Sequence, residues 1–527
     1  MANDAGIGYW ITRRAALTPQ RTALVYEDQS ITYAEFDRHV NRAAHALRAL
    51  GVNHGDRVAY LDLNHPRFFV TMFAAARLGA IFVPLNFRLT APELSFIVND
   101  AGVHTLVHDE MFAPVIDQIR GDIAVRNLIC TVPRDGVRGW EEVLHDQRDS
   151  SFDNQVALDE VAVIMYTSGT TGRPKGAMLT HGNFLWNDIN ALLGYDTLSD
   201  DRTLVVAPLF HIGGLNVTPL TAFLKGATVV LERSFDPTRV LELIPRHRIT
   251  TMFGVPAMFL FMSQHPAFAA ADLSSVRSFI CGGAPVPEAL IRLYGSRGIS
   301  FAQGYGLTET APFASIVPIE RALDKVGSAG VPPFFTDVAC VDDRDDPVPP
   351  GERGEVVVRG PNVMKGYWNR PEATAEVMRN GWFHTGDVGV MDEEGYLYIV
   401  DRKKDMIISG GENVYPAEVE DAIYKHPDVA EVAVIGVPDQ RWGESVCAIV
   451  VAKAGTSPTE QDIIDFVQDK LARYKQPRSV RFTDVLPRNP AGKVLKFELR
   501  EQFGGAGVED VQHAEASEAA RQPTPGS

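Results

Sequence analysis

Short apolar runs alternate along this chain with segments whose apolar positions recur at helical spacing. "RVAYLDLNH" (57–65) reads as a strand, "PRFFVTMFAAARLG" (66–79) as a helix and "AIFVPLN" (80–86) as the next strand. The rhythm resumes with "TLVVAPLF" (203–210) and "GATVVLE" (226–232), then "ITTMFGV" (249–255), "VRSFICGG" (276–283) and "ISFAQGYG" (299–306). Unbroken apolar runs between helical segments predict parallel strands covered on both faces. From about residue 337 the texture changes to short strands with turns, as in "DVACVDDRDDPVPPGERGEVVVRG" and "GYLYIVDR". After the charged run "DRKKD" (401–405) the pattern restarts. Helix "YPAEVEDAIYKH", strands "VAEVAVIGV" and "ESVCAIVVA", helix "EQDIIDFVQDKLARY" and strand "SVRFTDVL" suffice for a separate small domain. The expected architecture is α/β. A large N-terminal domain of parallel sheets covered by helices, with a β-rich subdomain, spans 1–400. The run 401–405 is the natural boundary to a small α+β C-terminal domain at 406–503. Residues 504–527 lack aromatics and long aliphatics and read as a disordered tail.

Composition narrows the function classes. The 527 residues exceed what one core can hold, so two or three domains follow. Net charge is −17, which disfavours a duplex nucleic-acid partner. An anionic substrate would have to be met by local Lys and Arg against that field. No apolar stretch approaches a spanning length and no secretory signal is evident at the N-terminus, although its amphipathic start allows a peripheral membrane contact. Four widely spaced cysteines suggest neither disulfides nor zinc and fit a reducing cytoplasm. No feature of the chain reports on oligomeric state.

The chemistry-bearing stretch is "YTSGTTGRPKGAML" (166–179). It follows the apolar run "VAVIM" and precedes a helix capped by Thr180, giving a strand, a hydroxyl-and-glycine loop and a helix. Backbone N–H groups and hydroxyls in such a loop can converge on a phosphate, with Lys175 adding a charge. The Walker spacing cannot be laid on it. Further glycine-and-polar segments are "PLFHIGG" (208–214), "CGGAPVP" (281–287), "QGYGLTE" (303–309), "WFHTGD" (382–387) and "RNPAGKVLK" (488–496). Each has a bland reading. His211 alone is a core histidine, Glu309 and Asp387 are surface charges or caps, Lys493 is an exposed loop lysine, and "DRKKD" is a solvated run.

Taken together and in this order, the segments resemble the acyl- and aryl-CoA synthetases of the adenylate-forming (AMP-binding) superfamily. The resemblance covers about residues 10–503, and its most specific matches are "YTSGTTGRPKGAMLTHGN", "QGYGLTET", "GWFHTGD", "DRKKDMIISGGENVYPAEVE" and "NPAGKVLK". It implies a two-step ligase using ATP, Mg²⁺ and coenzyme A. Thr167, Ser168, Gly169, Thr170, Thr171 and Lys175 would hold the β- and γ-phosphates. Glu309, with Thr167, would bind Mg²⁺, and Thr308 would contact the α-phosphate. Tyr305 would stack on adenine beside Gly283, Ala284 and Pro285, with Gln303, Gly304 and Gly306 in the same wall. Asp387 and Arg402 would hold the ribose. His211 would orient the acid, in a pocket bounded by Phe210, Gly214, Gly254, Gly282, Gly306, Ala311 and Pro312. Lys493 would bridge the carboxylate and the α-phosphate during adenylation. Lys404 matches the hinge about which the small domain turns for the second step, where relatives often carry Asp, and Gly410 and Gly411 would then face CoA.

A medium- or long-chain fatty acid is the preferred substrate on sequence alone, because no polar residue in that set stands out to hold a phenol. Hydroxycinnamate (feruloyl- or coumaroyl-type) or another aryl acid is the alternative. An acyl-AMP ligase loading a carrier protein is disfavoured by the compact path from residue 327 to 366.

Overall fold

In the computed structural model the described residues are 6–151, 155–167, 174–284, 286–402, 405–409, 412–439, 442–468, 470–471, 473–488 and 494–504. The chain divides into two compact units. One comprises 1–339, 357–385 and 392–398, and the other 340–356, 386–391 and 399–527.

The first unit is built on two eight-stranded sheets. One runs in the order Phe313–Ile316, Ser300–Gly306, Ser278–Gly282, Thr251–Gly254, Arg202–Val205, Thr228–Leu231, Thr22–Tyr26, Gln29–Thr32. Its interior pairs are parallel, and its two outermost pairs antiparallel. The other runs Gly366–Tyr367, Lys175–Thr180, Val161–Thr167, Ile81–Pro84, Arg57–Leu61, Val103–His108, Asn127–Cys130, Arg138–Gly139. Every interior strand expected from an apolar run is present, because a parallel strand covered on both faces leaves no polar side chain to break the run. The helices that cover the sheets start where their caps dictate. Thr32 caps Tyr33–Ala49 and accepts from the Glu35 amide, and Pro66 opens Pro66–Arg77 after His65. Aromatic edge-to-face contacts fill the layers between, notably Phe259 against Phe301 at 4.8 Å and Phe69 against Phe223 at 5.1 Å.

A third, five-stranded sheet contains Asp337–Val341, Arg353–Arg359, Trp382–Met391, Met378–Arg379 and Leu397–Arg402, the β-rich texture read near residue 337. The second unit also carries the antiparallel pair Val429–Asp439 and Gly443–Ala452, with Ser479–Phe482 parallel to the latter. Helix Glu460–Val467 is shorter than the pattern "EQDIIDFVQDKLARY" predicts. The Gln476 side chain donates to the carbonyls of Gln468 and Leu471, satisfying the backbone just past the helix end. Among the described residues, no helix is long and apolar enough to cross a membrane. All four cysteines are buried and free.

Candidate active site

The opening motif is not a strand, loop and helix in direct succession. Val161–Thr167 pairs antiparallel with a further strand, Lys175–Thr180, in a register that sets Thr167 opposite Lys175. The segment is therefore a hairpin, and its tip, with Ser168, Gly169, Thr170 and Thr171, lies outside the described residues. Gly176 explains part of this geometry. A Cβ there would come within 2.6 Å of Ile164 and 3.1 Å of Tyr166, so only glycine lets the two strands close at the base. The Tyr166 hydroxyl donates to Asp100 at 2.7 Å, and Arg370 pairs with the same carboxylate at 2.6 Å.

Gly366–Tyr367 adds to the hairpin's other edge, opposite Met178 and Ala177, and the Trp368 amide donates to the Gly176 carbonyl at 2.7 Å. That register carries the Tyr367 ring beneath Lys175, whose Nζ stands 5.3 Å from the ring centroid. The Tyr367 hydroxyl donates to Glu309 Oε1 at 2.7 Å. Glu309 sits in the short helical turn Thr308–Thr310 and is only 8% exposed, and its carbonyl accepts from the Met364 amide at 2.8 Å. Burial, and next the Glu309 charge, push the Tyr367 phenol well above its ordinary value, so it remains a donor. Lys175, Tyr367 and Glu309 thus form one continuous arrangement: a cation, a bridging phenol and a hard carboxylate beside a hydroxyl-bearing hairpin. Mg²⁺ takes one or two carboxylate oxygens together with phosphate oxygens, and this donor set fits it. Tyr367 was not among the residues singled out from sequence.

Helix His181–Gly194 fixes the surrounding loops through a buried polar face. Thr180 accepts from the Asn183 amide at 3.1 Å, and Asn183 Oδ1 accepts from the Thr180 amide at 2.8 Å. The Asn183 side chain also donates to the carbonyls of Pro361 and Val363. Asn187 accepts from the Phe313 amide at 3.1 Å and donates to the Asn216 carbonyl at 3.0 Å. Asn190 accepts from the Phe335 amide at 2.9 Å and donates to Thr336 at 3.0 Å. Asn362 donates to the carbonyls of Thr310 and Phe313, and Asn216 to that of Ala311 at 2.6 Å. The loops on either side of Glu309 are therefore tied to the helix that follows the hairpin. Spacing of i, i+4 and i+7 puts Asn183, Asn187 and Asn190 on one face, and three amides at that spacing in an apolar helix were the available signal. Asp188, beside them, is fully buried and accepts from Thr221 at 2.9 Å. Burial raises its carboxyl well above the usual range, against the hydrogen bonds from Thr221 and Asn187.

The proposed adenine wall lies at the carboxyl ends of parallel strands, where open sheets bind ligands. Gly283 follows Ser278–Gly282 with φ +84°, Ala284 is exposed, and Pro285 lies outside the described residues. Gln303 is buried in Ser300–Gly306, with Gly304 and half-buried Tyr305 beyond it, and Thr308 is half-buried. Of the residues expected around the acid, His211 is half-buried by exposure, and desolvation with the Arg88 charge pushes it down to about 4, leaving a neutral imidazole. Its ring lies 4.4 Å from that of Phe210, which meets Phe87 edge-on at 5.1 Å.

The pocket glycines differ from expectation. A Cβ on Gly306 would stand 1.7 Å from the Pro312 carbonyl oxygen, on Gly282 2.8 Å from that of Gly304, and on Gly214 2.2 Å from that of Pro208. The missing side chain of Gly306 lets two strands approach and opens no room for substrate on that side. At Gly254 a Cβ would meet the Phe259 ring at 3.0 Å. Ala311 is left-handed at φ +64°, and Pro312 follows it.

In the second unit, Asp387 is 4% exposed on Trp382–Met391, and the neighbouring Gly386 amide donates to Glu355 at 3.2 Å. Arg402 ends the strand Leu397–Arg402. Lys404, Gly410, Gly411 and Lys493 lie outside the described residues.

Residues 11–368 match the AMP-binding enzyme family, and residues 418–493 match the AMP-binding enzyme C-terminal domain. A feruloyl-CoA synthase from an Amycolatopsis species is 50% identical over 95% of this chain and 100% of its own length. The long-chain-fatty-acid–CoA ligase FadD13 of Mycobacterium tuberculosis is 44% identical over 94% of this chain and 98% of its own. Among solved structures, the o-succinylbenzoate–CoA synthetase of Bacillus subtilis in complex with ATP and magnesium superposes with a TM-score of 0.85. It is 35% identical, over 93% of this chain and 99% of that one. With both parts of the family present in order and full-length relatives at this identity, the chain belongs to the AMP-binding enzymes, among the AMP-forming acid–CoA ligases.

Proposed function

We propose that this acid–CoA ligase acts on aryl acids of the hydroxycinnamate, feruloyl type, with fatty acids as the second reading. The observation that carries the choice is the 50% identity to a feruloyl-CoA synthase across its entire length, against 44% to a fatty-acid ligase. This supports the aryl-acid alternative over the fatty-acid preference drawn from sequence. A carboxylate is a poor electrophile. Its oxygen attacks the α-phosphorus of ATP, pyrophosphate leaves, and the CoA thiol then attacks the acyl carbon with AMP as leaving group. In this reading Thr167, the hairpin tip and Lys175 hold the departing pyrophosphate, where negative charge builds. Glu309 and Thr167 hold Mg²⁺, which would neutralise phosphate charge. Neutral His211 donates to or orients the acid without adding a competing charge. Tyr305 and the glycine wall take adenine, Asp387 and Arg402 the ribose, and Lys493 bridges carboxylate and α-phosphate. Rotation about Lys404 exchanges Lys493 for the Gly410–Gly411 surface in the second step. ATP and CoA are both supplied in the cytoplasm, the compartment this reading implies.

The test is kcat/KM for ferulate, 4-hydroxycinnamate, benzoate, octanoate and dodecanoate, read as CoA-dependent AMP release and acid-dependent pyrophosphate release. Ferulate and 4-hydroxycinnamate should lead the series. Dodecanoate leading by tenfold would return the enzyme to the fatty-acid reading, and pyrophosphate release with no thioester would make it an acyl-AMP ligase.

A further inference from the structure

Helix His181–Gly194 ends at Tyr195, which is 2% exposed and whose hydroxyl has no hydrogen-bond partner among the described residues. A phenol this deep ordinarily finds a partner, so an orphaned one is a mark of something that arrives later. The ring packs edge-on to Phe313 at 5.4 Å, in a cluster that also contains Ala207, Phe253 and Ile280. The hydroxyl points at bare backbone: it lies 2.9 Å from where a Cβ on Gly304 would stand. Gly304 pairs with Gly282, and Gly306 follows two residues along the same strand. Both flanking glycines are among the acid-pocket residues that the resemblance implies. Phe253 packs near the same wall, 3.8 Å from the Cβ position of Gly282. Gly304 itself is part-exposed, and the Tyr195 hydroxyl that faces it is a donor lacking an acceptor among the described residues.

A small cavity of about 10 Å³, bordered by Tyr195 with Thr203, Arg277 and Ser278, has room for one water and none for a ring. Gly304 does not border it.

We propose that the Tyr195 hydroxyl hydrogen-bonds an oxygen substituent on the substrate's ring, so that the pocket selects phenolic or alkoxylated aryl acids over unsubstituted ones. This rests on the aryl-acid reading above. It supplies the polar contact that the sequence-derived pocket residues lacked, since Tyr195 lay outside that set. A site that hydrogen-bonds a substrate hydroxyl discriminates strongly against the analogue lacking it, because its own buried polar group is then left unpaired.

The experiment compares wild type and Tyr195→Phe on cinnamate, 4-hydroxycinnamate and ferulate, with thermal midpoints of both apo proteins. Wild type should prefer the oxygenated acids. In Tyr195→Phe their kcat/KM relative to cinnamate should fall about tenfold or more, with cinnamate itself within twofold and the apo midpoint unchanged or raised, since an orphaned hydroxyl has been removed. An equal change on all three acids, no change in the ratio, or a lowered apo midpoint overturns the proposal. Wild type turning over dodecanoate and none of the three aryl acids overturns the reading beneath it, and that result is read before any variant is made.

Discussion

Tyr367→Phe isolates the bond that joins the phosphate hairpin to Glu309. The substitution removes one hydroxyl and keeps the ring, so the Lys175 contact at 5.3 Å and the strand pairing with Ala177 remain. It deletes a 2.7 Å hydrogen bond to a carboxylate only 8% exposed. Hydrogen bonds to charged groups contribute about 1.5–3 kcal/mol, and at ~1.4 kcal/mol per decade this is roughly 10- to 100-fold. Partners that orient a metal-binding carboxylate have effects of the same order, about 10–100-fold in metal affinity or activity. Acid-dependent pyrophosphate release measured across a Mg²⁺ titration should therefore show the half-saturating Mg²⁺ raised about 10- to 100-fold, with activity largely recovered at saturation. An unchanged Mg²⁺ dependence would refute the reasoning, as would a uniform loss that no concentration of Mg²⁺ restores.

Gly306→Ala should depress activity on every acid alike, because its Cβ would meet the Pro312 carbonyl at 1.7 Å. A selective loss for the bulkier acids in a kcat/KM panel would contradict this. Asp188→Asn should leave the urea midpoint close to wild type, since burial disfavours the charged carboxylate and the amide oxygen still accepts from Thr221. Asp188→Ala should destabilise by about 1–3 kcal/mol by stranding Thr221 and its neighbours. For pH, burial holds His211 at about 4 in the folded chain, so between roughly 6.5 and 4 the unfolded state binds the extra proton and stability falls as pH is lowered. His211→Asn should therefore lose about 2 kcal/mol less than wild type between pH 7.5 and 5 in urea unfolding. His181, also held near 4, acts in the same direction and stays in both proteins.

The parallel strands were legible because double coverage leaves their sequences almost wholly apolar, and the helices because their caps and prolines are local signals. The strand Lys175–Thr180 escaped notice since it opens with Lys and Gly straight after a loop, and pairing alone makes it a strand. In the site, residues carried by recognisable motifs were placed, whereas residues that act by supporting them were not. Tyr367 looks like any aromatic in "KGYWNRP" until the sheet register sets it under Lys175. Asn183, Asn187 and Asn190 carry no motif role, and only the fold shows that their helix buries that face. Gly306 was named as a boundary of the pocket, since sequence cannot say which backbone a missing Cβ faces. The acyl class was the least legible part, because the pocket was assembled from motif neighbours alone.

The central claim is that the early hairpin and the late lysine act on one ATP. The direct measurement is Lys493→Ala assayed in each half-reaction. Acid-dependent pyrophosphate release should drop by about 10²–10³, or ~3–4 kcal/mol, as when one preorganised donor is removed from a developing anion. Thioester formation from ready-made acyl-AMP should change little. Equal losses in both steps, or none in the first, would contradict the account.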